Sequence, residues 1–248
     1  MTASFEGLST SAALELLSVG ELTPTGRLTE ASNATLYCTV AAPGGAEAGC
    51  VYKPVAGERP LWDFPEGTLA GRELSAFAVS DALGWDVVPP TVHRDGPFGE
   101  GMVQLWIDGD TGVDLVDLAR DTRHAGLRRM AVLDAVINNS DRKVGHLLPT
   151  PSGHLYGCDH GVSFAEDYKL RTVLWQWQGE PLTGEALEGL AQLEERLRDP
   201  DSPVAAELRR HLTGPEGYAV LRRVRLLLHH RVHPYPSPDW PAVPWPPV

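Results

Sequence analysis

The stretch from Asp134 to Gly161, DAVINNSDRKVGHLLPTPSGHLYGCDHG, constrains this chain more than any other. It ends a helix-like apolar run and then sets Asp141, Arg142, Lys143 and His146 within six residues. It turns through Thr150-Pro151-Ser152-Gly153 and returns as a short strand-like run, His154 to Cys158, that closes on Asp159-His160-Gly161. The chain has three asparagines and three lysines; Asn138, Asn139 and Lys143 all fall here. Scarce polar types therefore gather where a site is expected.

The elements around this stretch set its context. Residues 9–18 read as a short helix, with Ser9 or Ser11 as cap. Residues 21–30 and 35–41 read as two strands joined by a hairpin at 31–34, and 49–55 as a third. Residues 70–83 have helical periodicity and stop before Gly84. Residues 87–92 and 101–107 read as two further strands. The pattern then turns helical, at 113–120, 123–139, 183–198, 203–212 and 215–231. From His233 onward there are seven prolines and two tryptophans in 16 residues, an extended tail expected to pack on its own domain. The expected organisation is a β-rich lobe over 1–107, a helical lobe over 108–232 and a tail over 233–248. The fold class is α+β, with an antiparallel N-terminal lobe carrying one main helix. Such an order places a cleft between lobes, where ligands bind preferentially.

Composition narrows the partners. The net charge of −12 disfavours nucleic acid and anionic membrane surfaces. No run approaches the ~18–20 apolar residues of a membrane span. The opening MTASFEGLSTS lacks a basic, then apolar, leader pattern, so a cytoplasmic location is expected. Cys38, Cys50 and Cys158 are unclustered, lie in strand-like runs and read as buried free thiols. His93, His124, His229, His230 and His233 read as surface residues. Trp175 and Trp177 read either as core or as a substrate platform.

Arginine outnumbers lysine 18 to 3, so each lysine merits attention. Lys53 lies mid-strand in an apolar run, either at a solvated edge or aimed at phosphates in the cleft. Glu73, 20 residues on and early in the helix, is placed to pair with it. Ser32, Asn33 and Ala34 form either a plain turn or a tip whose N–H and hydroxyl groups cradle phosphate. Asp141 follows a helix end, and Asn-Asn-Ser-Asp alone is also a simple turn. Asp159 ends a strand directed at the same loop. An acid that orients a hydroxyl and a second that holds a metal are the parts of phosphoryl transfer. Carboxylate oxygen suits Mg²⁺ or Mn²⁺. His160 reads as scaffold rather than catalyst.

Together, NNSDRKVGHLL followed by DHG resembles the protein-kinase-like superfold in its phosphatidylinositol 3-/4-kinase-type branch, and in particular a small actinobacterial family of such proteins. The resemblance covers residues 20–165. It implies a two-lobed kinase-like fold and an ATP-dependent phosphotransferase. By that resemblance Lys53 is the phosphate lysine and Glu73 its partner. Ser32, Asn33 and Ala34 cover phosphate, and Gln104, Leu105 and Trp106 border adenine. Asp141 is the catalytic aspartate and Lys143 falls close to the γ-phosphate, so that Lys143 or Arg142 is expected to offset charge on the transferred group. Asp159, helped by His146, holds Mg²⁺ or Mn²⁺. His146 stands where kinases usually have asparagine, which leans the metal towards Mn²⁺. There is no Ala-Pro-Glu marker, and the acidic balance speaks against a phosphoinositide substrate. The acceptor and the oligomeric state stay open, as do a nucleotide-binding pseudokinase and an AMP-transferring enzyme.

Overall fold

The computed structural model of the chain describes residues 8–28 and 33–248; Ser32 lies outside the described residues. Helix α1 (Thr10–Val19) is capped by Ser9, whose hydroxyl accepts from the Ala12 N–H. Strands β1 (Glu21–Arg27), β2 (Leu36–Ala41) and β3 (Glu47–Pro54) follow as a meander. After helix α2 (Leu69–Leu83) come β4 (Thr91–Gly96) and β5 (Gly99–Leu105). The sheet order is β1-β2-β3-β5-β4, with every pairing antiparallel.

Side chains alternate across this sheet and so divide its two faces. Cys50 and Tyr52 on β3, opposite Leu105 and Val103 on β5, join Ala13, Leu16 and Leu17 of α1 in one apolar cluster. Lys53, the residue after Tyr52, is paired with Met102, and Met102 packs on Ala70 and Leu74 of α2. The two-residue period thus turns Lys53 away from α1 and towards α2.

Gly84 ends α2 in the left-handed region (φ 69°), where it accepts no steric cost. The strand expected at 87–92 begins instead at Thr91. Pro89 and Pro90 have no N–H for a ladder, so Val87 and Val88 are buried as an extended link whose N–H groups bond the Ser80 hydroxyl. The strand expected from 101 begins at Gly99 and ends at Leu105, because the Gly96–Gly99 pair closes a hairpin there.

The remaining helices are α3 (Leu115–Arg120), α4 (Ala125–Ile137), α5 (Gly184–Arg198), α6 (Pro203–His211) and α7 (Gly214–His230). Between α4 and α5 lies a small hairpin, β6 (Leu147–Pro149) paired with β7 (Leu155–Gly157). The second of these strands matches the run expected from His154 to Cys158, while its partner β6 lies in a stretch without strand-like pattern. Leu127, Met130, Leu133, Val136 and Ile137 of α4 are fully buried. Each such side chain contributes about 1.5–3 kcal/mol by leaving water. Ala76, Val79, Ala82 and Leu83 of α2 belong to this same helical core. Arg72 fixes α2 further: it is buried, donates to the Ser163 carbonyl (2.7 Å) and pairs with Glu216 at the start of α7 (2.5 Å).

Cys38 and Cys50 are buried, but Cys158 is half-buried and lies just past β7 rather than in a strand. His233, expected at the surface, is buried: its backbone is bonded to Gly179 and Glu180, and its ring accepts from Arg128 Nε (3.3 Å). Trp177 is core and Trp175 donates to the Ala242 carbonyl, so neither is a free platform. The proline-rich stretch lies along the helical side. Ala242 accepts from the Thr172 N–H (3.0 Å), Pro247 accepts from the Val144 N–H (2.9 Å), and Trp240 stacks on Trp62.

Candidate active site

The stretch that dominated the sequence is built by three local devices. Asn138 ends α4 in the left-handed region (φ 54°), and its amide group donates to the carbonyls of Ala165 and Asp167. Asn139 turns the chain by donating to Asp134 (2.9 Å) while accepting from the Asp141 N–H (3.0 Å). The β6–β7 hairpin then folds the chain back, with the Cys158 N–H donating to the His146 carbonyl (3.1 Å). Residues 146 and 159, far apart in sequence, thereby become neighbours across a hairpin base.

A crevice of about 190 Å³ results, lined by Asn33, Lys53, Glu73, Asp141, Lys143, His146 and Asp159, among others. Lys53 Nζ meets Glu73 Oε1 at 2.8 Å and also contacts Asp159 Oδ1. Asp159 Oδ2 lies 3.6 Å from His146 Nε2, and Lys143 Nζ lies 3.1 Å from Asp141 Oδ2. Asp159 is half exposed and adopts φ 58°, an uncommon conformation for a non-glycine residue. Backbone strain of this kind collects at functional sites.

The charges are coupled. Burial alone would lower the Lys53 pKa, but the Asp159 and Glu73 carboxylates outweigh it and raise it. Burial would raise that of Glu73, yet the Lys53 charge and the adjacent His160 bring it below the usual carboxylate range. The Lys53 charge likewise holds Asp159 low. Burial depresses His146 to about 4, against the opposing pull of Asp159. The ring is neutral at neutral pH and offers a lone pair. Burial pushes the Cys158 thiol up to about 12, so it is no nucleophile at neutral pH.

Not every expected residue reaches the crevice. Arg142 does not: it is fully buried, and its guanidinium is spent on Asp134 (2.9 and 3.0 Å), the Cys158 carbonyl (3.0 Å) and His160 (2.7 Å). A buried arginine needs such partners, and Arg142 is not among the residues that line the crevice. Gln104 donates to Thr91 inside the sheet, and Leu105 faces the α1 cluster. Trp106 lies edge-on to Tyr37, with its indole on Asp108. These three stand beyond the crevice wall. Asn33 lines it, but its side chain accepts from the Arg59 N–H (2.8 Å), and the Ala34 N–H donates to the Gly57 carbonyl (3.0 Å).

Sequence reading also missed residues. Glu58 lines the crevice and caps α2 by accepting from the N–H groups of Leu69 and Ala70. Its loop position gave no signal. Asp134 did carry one, since an acid inside the apolar run RMAVLDAVI calls for a buried partner. Among the described residues, no group of three or more His, Cys, Asp and Glu is gathered as a metal cage, and no helix is long and apolar enough to cross a membrane.

No family model matches the sequence. Two solved structures share the architecture at low identity. The structure of hydra Fam20 with sugar has a TM-score of 0.58 at 15% identity, covering 89% of this chain and 87% of that one. The Golgi casein kinase with Mn/ADP bound also has 0.58, at 14% identity, covering 89% and 75%. The fold is therefore kinase-like, with an antiparallel N-terminal sheet and a helical remainder. Protein Rv2133c of Mycobacterium tuberculosis is 45% identical, over 93% of this chain and 94% of its own length. At that identity and coverage the relation is one of family, and the chain belongs to the family of Protein Rv2133c.

Proposed function

We propose that the chain is an ATP-dependent phosphotransferase that works in the crevice between residues 53 and 141. The observation that carries this reading is the convergence of Lys53, Glu73 and Asp159 on one side with Asp141, Lys143 and His146 on the other. Lys53, kept cationic by two carboxylates, binds nucleotide phosphate. Asn33 and Ala34 are the covering residues on this reading, and Gln104 to Trp106 lead to the adenine side. Asp141 orients the acceptor hydroxyl and takes its proton. Lys143, on Asp141, offsets charge on the transferred group. These effects are positional and electrostatic.

Asp159 and His146 are the residues that would hold a divalent ion. Their donor atoms face each other, one oxygen and one neutral nitrogen, a set compatible with Mn²⁺ as well as Mg²⁺. Such an ion supplies charge neutralisation on phosphate. We place the lobe boundary near residue 107 and the proteins of this family beside the phosphatidylinositol 3-/4-kinase-type branch. The Golgi casein kinase carries Mn/ADP, which supports the same ligands here.

Asp159→Asn is the test. It should abolish metal-dependent ATP turnover while the melting temperature moves little, since this carboxylate is half exposed. Turnover equal to wild type would refute the metal assignment. One observation favours a second reading, a nucleotide-binding module without transfer. Asp159 is engaged by Lys53 and its companion donor is an imidazole rather than an amide. Thermal stabilisation by ATP with no ADP or AMP released under Mg²⁺ or Mn²⁺ would establish it.

A further inference from the structure

A continuous line of buried polar contacts runs behind the crevice and joins its two sides. It begins at Lys53, which pairs with Glu73 Oε1 at 2.8 Å. Glu73 Oε2 accepts from the His160 N–H (2.9 Å), and the same oxygen faces His160 Nδ1 at 3.7 Å. His160 Nε2 lies 2.7 Å from Arg142 Nη2. Arg142 holds Asp134 through two nitrogens, Asp134 accepts from Asn139 (2.9 Å), and Asn139 accepts from the Asp141 N–H (3.0 Å). Glu73, His160, Arg142, Asp134 and Asn139 are all buried.

The chemistry fixes how His160 sits in this line. Arginine only donates, so His160 Nε2 accepts and the ring proton is on Nδ1. That N–H points at the Glu73 carboxylate across a gap slightly too long for a hydrogen bond, and Nδ1 has no other partner. The imidazole therefore touches the α2 carboxylate on one edge and the loop arginine on the other. An apolar ring of the same size would do neither.

We propose that His160 is a positioning residue that couples the seating of Glu73 on Lys53 to the backbone at Asp141. The inference deepens the phosphotransferase reading and rests on it for the roles of the two ends. When phosphate engages Lys53, Glu73 is drawn or released, the Nδ1–H contact closes or opens, and Arg142 transmits the change through Asp134 and Asn139. Coupling of this kind is reciprocal: an acceptor that orders the Asp141 loop tightens the nucleotide side by the same factor.

Amide hydrogen exchange of the full chain over residues 138–147 tests this without requiring turnover. Glu73→Gln in the native background should speed exchange there by about fivefold or more, the low end of ordinary coupling between sites. In the His160→Phe background, Glu73→Gln should add nothing further. His160→Gln, which keeps one acceptor and one donor, should restore the native response. Should the Phe variant not fold, His160→Met carries the same comparison. No acceleration by Glu73→Gln alone, or equal acceleration in both backgrounds, overturns the coupling. Failure of the phosphotransferase reading shows separately, as native protein that exchanges as expected yet leaves ATP unchanged. If ATP is consumed, His160→Phe should lower kcat at least about tenfold with KM for ATP within about twofold, the pattern of an interaction realised in the transition state. Unchanged kcat would also refute the proposal.

Discussion

Lys53 and Asp141 face one crevice but are held there by different physics. Lys53 sits in a strand bonded on both sides, to β2 and to β5, so backbone ladder and side-chain alternation alone aim it. Asp141 sits in irregular chain whose N–H and C=O groups have no ladder. Other contacts replace it: the Asp141 N–H goes to the Asn139 side chain, the Arg142–Asp134 pair holds the loop from inside, and the carbonyls of Val162, Arg171 and Pro247 accept from the Ser140, Arg142 and Val144 N–H groups. Regular structure tolerates change at one residue because neighbours hold the register. A loop scaffolded by buried polar groups has no such redundancy, since each lost partner leaves another unsatisfied.

The largest break in this contrast should come from Arg142→Ala. It strands the Asp134 carboxylate in the core and should cost about 3–5 kcal/mol in denaturant unfolding. A loss near zero would mean that the loop is not held by this pair. The root of the tail comes next. Burial first, then the Arg128 charge, depresses His233 to about 4, below the ordinary 6.5. The unfolded chain therefore binds a proton that the folded chain refuses, so stability is full above pH 6.5 and falls as pH drops from about 6.5 towards 4. The loss is up to roughly 3 kcal/mol. His233→Gln should flatten melting temperature against pH in that window. Deleting 234–248 removes the bonds at Val144 and Thr172 and should lower the melting temperature by roughly 4–8 °C, corresponding to about 2 kcal/mol. An unchanged value would make the arm irrelevant to the loop. The smallest structural effect should be Lys53→Met, about 1–2 kcal/mol, since the ladder persists and Glu73 keeps its bond from the His160 N–H. Its effect on nucleotide turnover should be complete.

What was legible in the sequence follows the same division. Strand alternation and a helix twenty residues on make the Lys53–Glu73 pairing readable, because both rest on short-range periodicity. The two asparagines could be seen as unusual, and they shape the loop. Arg142 was misread as facing the reaction because adjacency to Asp141 says nothing about side-chain direction in irregular chain, and its true partner lies back on α4. The start of β4 was misplaced because apolar character at Val87-Val88 outweighed the missing N–H groups of Pro89-Pro90. His233 was misread because its burial depends on Arg128 and the 179–180 turn, contacts that no local pattern encodes. The closing of β6 on β7 was half seen, and that half supplies the reason His146 meets Asp159.

One consequence belongs to Arg72. It stands beside Glu73 and is locked between α7 and the chain after Gly161, while the apolar side of α2 is embedded among α5 and α6. Swinging this helix outward would expose a desolvated cation and its acid together. The carboxylate side of the crevice is thus moored to the helical part of the molecule at the residue next to Glu73 itself.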